Sequence, residues 1–153
     1  MLPIVQLPSE GRDFWIWGDR YSFKAVGAET DGTFSLLEMT AAPGSGTPPH
    51  LHRLEDESFY VLEGELTIYA GDQRIAAPPG TFVAAPRGIT DRWANESGAP
   101  VRVLVFIVPA GFDQFLMRIG VPFDQPYTPA PPTQQEIDAA LAIAGEYQME
   151  IVA

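Results

Sequence analysis

Both histidines of this 153-residue chain lie one residue apart, as His50-Leu51-His52, and Glu57 follows five positions later. In an extended strand, residues two apart project to one face, so the two imidazoles would be presented together. Two imidazoles and a carboxylate from one short segment make the set that holds Fe(II) or a related divalent metal. Such a set leaves coordination positions open for substrate or dioxygen. The same His-x-His step also occurs as a pair of solvated or hydrogen-bonded surface histidines, so the pair alone does not establish a metal centre. Other schemes lack their parts. The chain has no cysteine, which excludes disulfides, thiolate nucleophiles and cysteine-held zinc or iron–sulfur clusters. It has no third histidine for a separate Ser-His-Asp triad and no glycine-rich phosphate loop with its lysine.

Something must hold these side chains, and from about residue 13 to 108 the sequence reads as short strands separated by Gly, Pro, Asp and Asn. The segments are DFWIW, YSFKAVG, TFSLLEMT, SFYVLEGELTIYA, RIAAPPGTFVAAP, DRWANESG and VRVLVFIVP. Closely spaced short strands predict an all-β sandwich or barrel. Ala70-Gly71-Asp72 and Glu63-Gly64-Glu65 suit tight turns, and GSGTPP reads as the turn that brings the chain into the histidine strand. After Pro109 the period changes. Phe112, Phe115, Leu116 and Ile119 form one face of a short helix over the barrel. The proline-rich 121–133 stretch reads as an extended connector. Thr133 and Glu136 then make a capping box for a C-terminal helix, with Ile137, Ala140, Leu141 and Ala144 as its apolar stripe and Gly145 as its end.

The spacing of these residues resembles the cupin family, whose first motif is G-x5-H-x-H-x3,4-E-x6-G. Gly44, His50, His52, Glu57 and Gly64 match all five of its positions. The second motif, G-x5-P-x-G-x2-H-x3-N, is met by Gly80, Pro86, Gly88 and Asn95, with Asp91 where the family has its third metal-ligand histidine. The resemblance covers roughly residues 20–110, and ESFYVLEGEL followed by VPAGFDQF is similar to small single-domain cupins of the quercetin-dioxygenase-like kind. It implies a double-stranded β-helix, the jelly-roll barrel, over about 20–110, with a helical extension over about 111–153, in one domain spanning 1–153.

The resemblance further implies that His50, His52 and Glu57 are metal ligands and that Asp91 takes the fourth slot. Aspartate is shorter than histidine, so Asp91 reaches a metal directly after backbone adjustment or through water; the alternative is that it accepts hydrogen bonds from an arginine or imidazole. Two carboxylates would balance a divalent cation, making it a weaker Lewis acid than three histidines and one glutamate would. The implied cofactor is one divalent ion, Fe, Mn, Ni or Zn, with added carboxylate ligation favouring harder ions such as Mn, Fe or Mg. Glu57 and Asp91 are the carboxylates available for proton transfer from a substrate hydroxyl. Strand alternation puts Phe59 and Val61 on the face of Glu57, and Trp93 on the face of Asp91. These three are read as the walls of a substrate pocket or as ordinary barrel core. Phe112 and Phe115 are read likewise as a lid or as helix packing. Asp56 points outward, and Glu55 sits in the loop before it. Both read as solvated acids, with orientation of a ligand histidine as the alternative for Glu55.

A formal charge of −11 and a single lysine, Lys24, argue against nucleic acid and acidic membrane surfaces as partners. The opening MLPIVQLPSEGRD has no basic start followed by a long apolar run, and no segment approaches the length of a membrane helix. The simplest placement is therefore the cytoplasm, and homodimerisation follows only from the resemblance. Three functions fit: a metal-dependent oxidoreductase, dioxygenase-like, acting on a small aromatic or enolisable substrate; a non-redox isomerase, cyclase or decarboxylase in the same pocket; and a non-catalytic cupin that binds a small ligand. The fold hosts many activities and does not choose among them.

Overall fold

The computed structural model describes residues 1–152, in which twelve strands and two helices are built around one apolar core. The strands are β1 (Arg12–Ile16), β2 (Asp19–Ala25), β3 (Ser35–Ala41), β4 (His50–His52), β5 (Asp56–Glu63) and β6 (Leu66–Ala70). They continue as β7 (Gln73–Ala77), β8 (Phe82–Ala85), β9 (Asp91–Ala94), β10 (Val101–Val108), β11 (Val121–Pro122) and β12 (Met149–Ile151). The helices are α1 (Phe112–Ile119) and α2 (Gln134–Ala144). Every ladder is antiparallel. One sheet runs β11-β1-β2-β3-β10-β5-β8 and the other β12-β4-β9-β6-β7. This is a double-stranded β-helix with helices added after the barrel.

Strict alternation in β3 and β10 drives the two sheets together. Leu37, Met39 and Ala41 from the first, and Val101, Val103, Val105 and Ile107 from the second, face inward and are almost wholly removed from water. Burying each such side chain contributes on the order of 1.5–3 kcal/mol. Asp19 hangs from the start of β2 on the same inner face, and its Oδ1 accepts the Ala42 N–H at 2.8 Å. It thereby ties down residues 42–46, the loop that delivers the chain to β4.

The β1–β2 hairpin closes on Trp17 and Gly18, both with positive φ (51° and 85°), the twist a two-residue hairpin favours. A side chain at 18 would meet the Ala130 carbonyl oxygen at 2.6 Å, so glycine is also required for the 129–132 stretch to lie against the hairpin. Gly18 N–H donates to Tyr127 Oη, and Phe123 stacks on Trp15 at 4.5 Å between ring centres. The 121–133 stretch is thus packed, and its first two residues pair with β1 as a strand, where the sequence suggested only a connector.

The Thr133–Glu136 capping box forms as expected. Gly145 does not end the helical path: a 3-10 turn over Gly145–Tyr147 extends it, and Gln148 takes the left-handed conformation instead. The C-terminal segment also does more than form a helix. Met149–Ile151 return as β12 and pair with β4, Met149 opposite His52 and Ile151 opposite His50. Nothing in the local pattern signals this, because β4 is only three residues long and needs a partner supplied by distant chain. No helix among the described residues is long and apolar enough to cross a membrane.

Candidate metal centre

β4 is short, but its alternation is clean: His50 and His52 face inward, at 5% and 3% exposure, and Leu51 faces out. β5 brings Glu57 to the same place, and β9, paired with β4 at His50↔Asp91, brings Asp91. Glu57 Oε2 lies 3.2 Å from His52 Nε2 and 3.6 Å from His50 Nε2. One ligand atom from each of His50, His52 and Glu57 lies within 4.8 Å of the other two. Asp91 Oδ1 joins this group through His50 Nε2, at 3.5 Å.

His50 Nδ1–H donates to the Pro48 carbonyl oxygen at 2.9 Å. A carbonyl only accepts, so Nδ1 carries a proton and Nε2 is the ring nitrogen turned towards the two carboxylates. His52 has Glu57 at Nε2 and Glu55 Oε2 at 3.5 Å from Nδ1. Glu55 is therefore a correction to the sequence reading: it is 3% exposed, folded under the loop against His52. Asp56 is the solvated acid of the pair, held by Arg87.

The electrostatics follow from four buried acids or bases in contact with a third carboxylate. Burial pushes both imidazoles down, but contact with Glu57 and its neighbouring carboxylates outweighs it, raising His50 and carrying His52 up to about 10. Burial pushes Glu57 up, and the two imidazoles overcome this and hold it at about 2. Asp91 is lifted to about 7, first by burial and then by the charge of Glu57.

The residues fit a divalent cation. His52 Nε2, Glu57 Oε2 and Asp91 Oδ1 are buried with no hydrogen-bond partner, and they converge with Nε2 of His50. Buried polar atoms left unpaired cost about 1–3 kcal/mol each, and a cation among them removes that penalty. Nitrogen and oxygen donors in this mixture suit Fe, Mn, Ni or Zn.

An apolar cavity of about 130 Å³ opens beside the cluster, with His50 and Glu57 in its wall. Of the three residues read as pocket walls, Trp93 lines it and Phe59 and Val61 do not. The latter two share the Glu57 face of β5, but they are buried in the barrel core, Phe59 between its β10 and β8 partners Val105 and Val83. Alternation predicts the face and not the depth along the strand, which is why the two were grouped with Trp93. Asp91 is not in the cavity wall either; it lies beside His50. Phe112 and Phe115 of α1 do line the cavity, and Phe112 also packs its ring against His52, 4.5 Å between centres. Among the wall residues that the sequence reading missed are Tyr21, Met39, Met149 and Ile151. The inward alternation of β2 and β3 could have found the first two, whereas β12 had no local signal.

These features agree with known proteins. The cupin domain profile matches residues 37–107. The chain is 29% identical over 141 residues to the quercetin 2,3-dioxygenase of Bacillus subtilis (strain 168); the match takes in 92% of this chain but spans only 41% of that enzyme's length. Among solved structures, KdgF from Halomonas sp. superposes with a TM-score of 0.63 at 15% identity, over 73% of this chain and 99% of the other. The polyketide cyclase RemF from Streptomyces resistomycificus superposes with a TM-score of 0.59 at 23% identity, over 71% and 80%. These structures share the barrel. His50, His52, Glu57 and Asp91 all fall inside the matched span, so residues 37–107, which match the cupin domain profile, carry the whole candidate metal centre.

Proposed function

We infer that this chain is a metal-dependent oxidoreductase of the dioxygenase type, acting on a small aromatic or enolisable molecule seated in the apolar cavity. One observation carries the reading: buried donor atoms of His50, His52 and Glu57 lie within reach of a single ion, those of His52 and Glu57 without a hydrogen-bond partner, beside a mostly apolar cavity that His50 and Glu57 help to line. The similarity to quercetin 2,3-dioxygenase supports it for the part of that enzyme the chain spans.

His50, His52 and Glu57 would hold the divalent ion, with Asp91 as fourth group beside His50. When bound, such an ion supplies Lewis-acid and, for Fe, Mn or Ni, redox capacity at the cavity wall. The protein's own contribution is to bind, shape and dry the site. Trp93, Met39, Phe112 and Phe115 exclude water from a ligand ring. Pro48 fixes the His50 tautomer so that Nε2 is the atom presented. Glu57 is the carboxylate that faces the cavity and is placed to accept a proton from a substrate enol or phenol hydroxyl. Asp91, whose carboxyl burial and the charge of Glu57 raise to about 7 in the metal-free chain, is the second carboxylate available for proton transfer, beside His50. The partner class is a small molecule.

The test is metal analysis of protein prepared with metal present, combined with oxygen uptake on small enols, diketones and phenols. Stoichiometric metal that is lost in His50→Ala, together with metal-dependent oxygen uptake, supports the reading. Turnover without dioxygen assigns the site to isomerisation, cyclisation or decarboxylation instead. A retained ligand with no turnover under any metal assigns a binding protein.

A further inference from the structure

Tyr21 carries a hydroxyl that none of the roles above uses. Asp19, Tyr21 and Phe23 alternate inward along β2, and Tyr21, 6% exposed, lies in the cavity wall with Leu37, Met39, Trp93 and Glu57. A buried tyrosine hydroxyl ordinarily finds a partner. Tyr69, Tyr127 and Tyr147 each do, whereas the Tyr21 hydroxyl has none among the described residues. Nor is it walled in by packing, as the unpartnered Trp17 Nε1 and Ser35 Oγ are. The cavity is the open space that Tyr21 lines. Burial, reinforced by the charges of Asp19 and Glu57, keeps its proton in place at neutral pH, so the group is a donor.

We propose that Tyr21 is a substrate-positioning residue whose O–H donates to a carbonyl, enol or phenol oxygen of a single-ring ligand in this cavity. The inference rests on the small-ligand reading of the cavity and does not require the metal to be present. A dry apolar cavity of about 150 Å³ accommodates benzene in an engineered protein, so about 130 Å³ suits one ring with a short substituent. An oxygen carried into a hydrocarbon wall loses its water and costs affinity unless a donor meets it. Tyr21 supplies that donor, which makes the cavity select ring compounds bearing oxygen over plain hydrocarbons of the same size.

The experiment measures binding of acetophenone and ethylbenzene, two single-ring probes differing in the carbonyl, to the metal-free full chain and to Tyr21→Phe by calorimetry. The substitution removes only the hydroxyl, and thermal melting verifies that the fold is retained. Acetophenone should lose about 3- to 10-fold in affinity, the value of one neutral hydrogen bond, while ethylbenzene stays within about twofold. Equal loss for both probes, no loss for acetophenone, or failure of both to bind the wild-type chain overturns the proposal. The metal reading is tested separately: metal binding unchanged by His50→Ala, with probe discrimination intact, would sink that reading and leave this one standing. Normal metal binding without discrimination would do the reverse.

Discussion

Replacing Asp19 by asparagine should make the protein less sensitive to rising pH, by an amount the structure allows to be worked out. Asp19 is 3% exposed, and burial lifts its carboxyl from 3.8 to about 6, against the opposing pull of the Ala42 N–H and the Ser45 side chain. An acid whose pKa is raised on folding binds its proton more tightly in the folded state. Its contribution to stability is therefore full below the unfolded value and is lost as pH rises through about 6. Integrating proton binding between pH 5 and pH 8 gives a loss of about 1 kcal/mol from this one group, and about 2 kcal/mol between pH 4 and pH 8. Asparagine keeps an acceptor for the Ala42 N–H and carries no titratable proton. Urea unfolding of chelator-treated wild type and Asp19→Asn at pH 5, 6, 7 and 8 isolates the term, because other groups cancel in the difference. The variant should gain on wild type by about 1 kcal/mol across this range, most of it between pH 5 and 7. A flat difference would show that Asp19 titrates as in water, and a change in wild type's favour would show that its charge stabilises the loop. Either result would refute the reasoning.

Four further outcomes are expected. Metal affinity should rise with pH and binding should release protons, because the raised imidazoles of His50 and His52 must deprotonate; calorimetry in buffers of different ionisation enthalpy measures this, and proton-neutral binding would contradict it. The same pair stabilises the metal-free chain below the ordinary histidine value, a contribution lost as pH climbs towards about 10 at His52, whereas Glu57 contributes above the ordinary glutamate value and loses it as pH falls towards about 2. Phe112→Ala should cost about 3 kcal/mol in urea unfolding, since the ring is 8% exposed and packs on both His52 and Phe115. Gly18→Ala should lower Tm more than Gly44→Ala: both have φ near +80°, but only at 18 does the added carbon meet backbone, 2.6 Å from the Ala130 carbonyl oxygen. Equal Tm values would mean that the 129–132 stretch moves aside.

Much of the site was legible because it is built from local spacing. His50 and His52 share a face by strand period, Glu57 follows at the distance that lets the chain turn back beside them, and the Thr133–Glu136 box marks its helix by hydrogen bonds made within one turn. Glu55 was misread for the same reason it matters. Its sequence neighbours are charged, but the loop folds it inward against His52, a contact that depends on where α1 begins: a side chain at Gly111 would meet Glu55 Oε1 at 3.0 Å.

The sequence by itself determined which side chains could bind a metal and that short alternating strands would carry them, because residue type and period are properties of the chain alone. Only the tertiary structure decided what surrounds them. Pairing of β9 with β4 put Asp91 beside His50 and out of the cavity wall, β12 returned from the C-terminus to complete the three-residue histidine strand, and β2 placed Tyr21 in the cavity wall. Each of these joins segments far apart in sequence, and it is their shared burial, not any local preference, that brings them together.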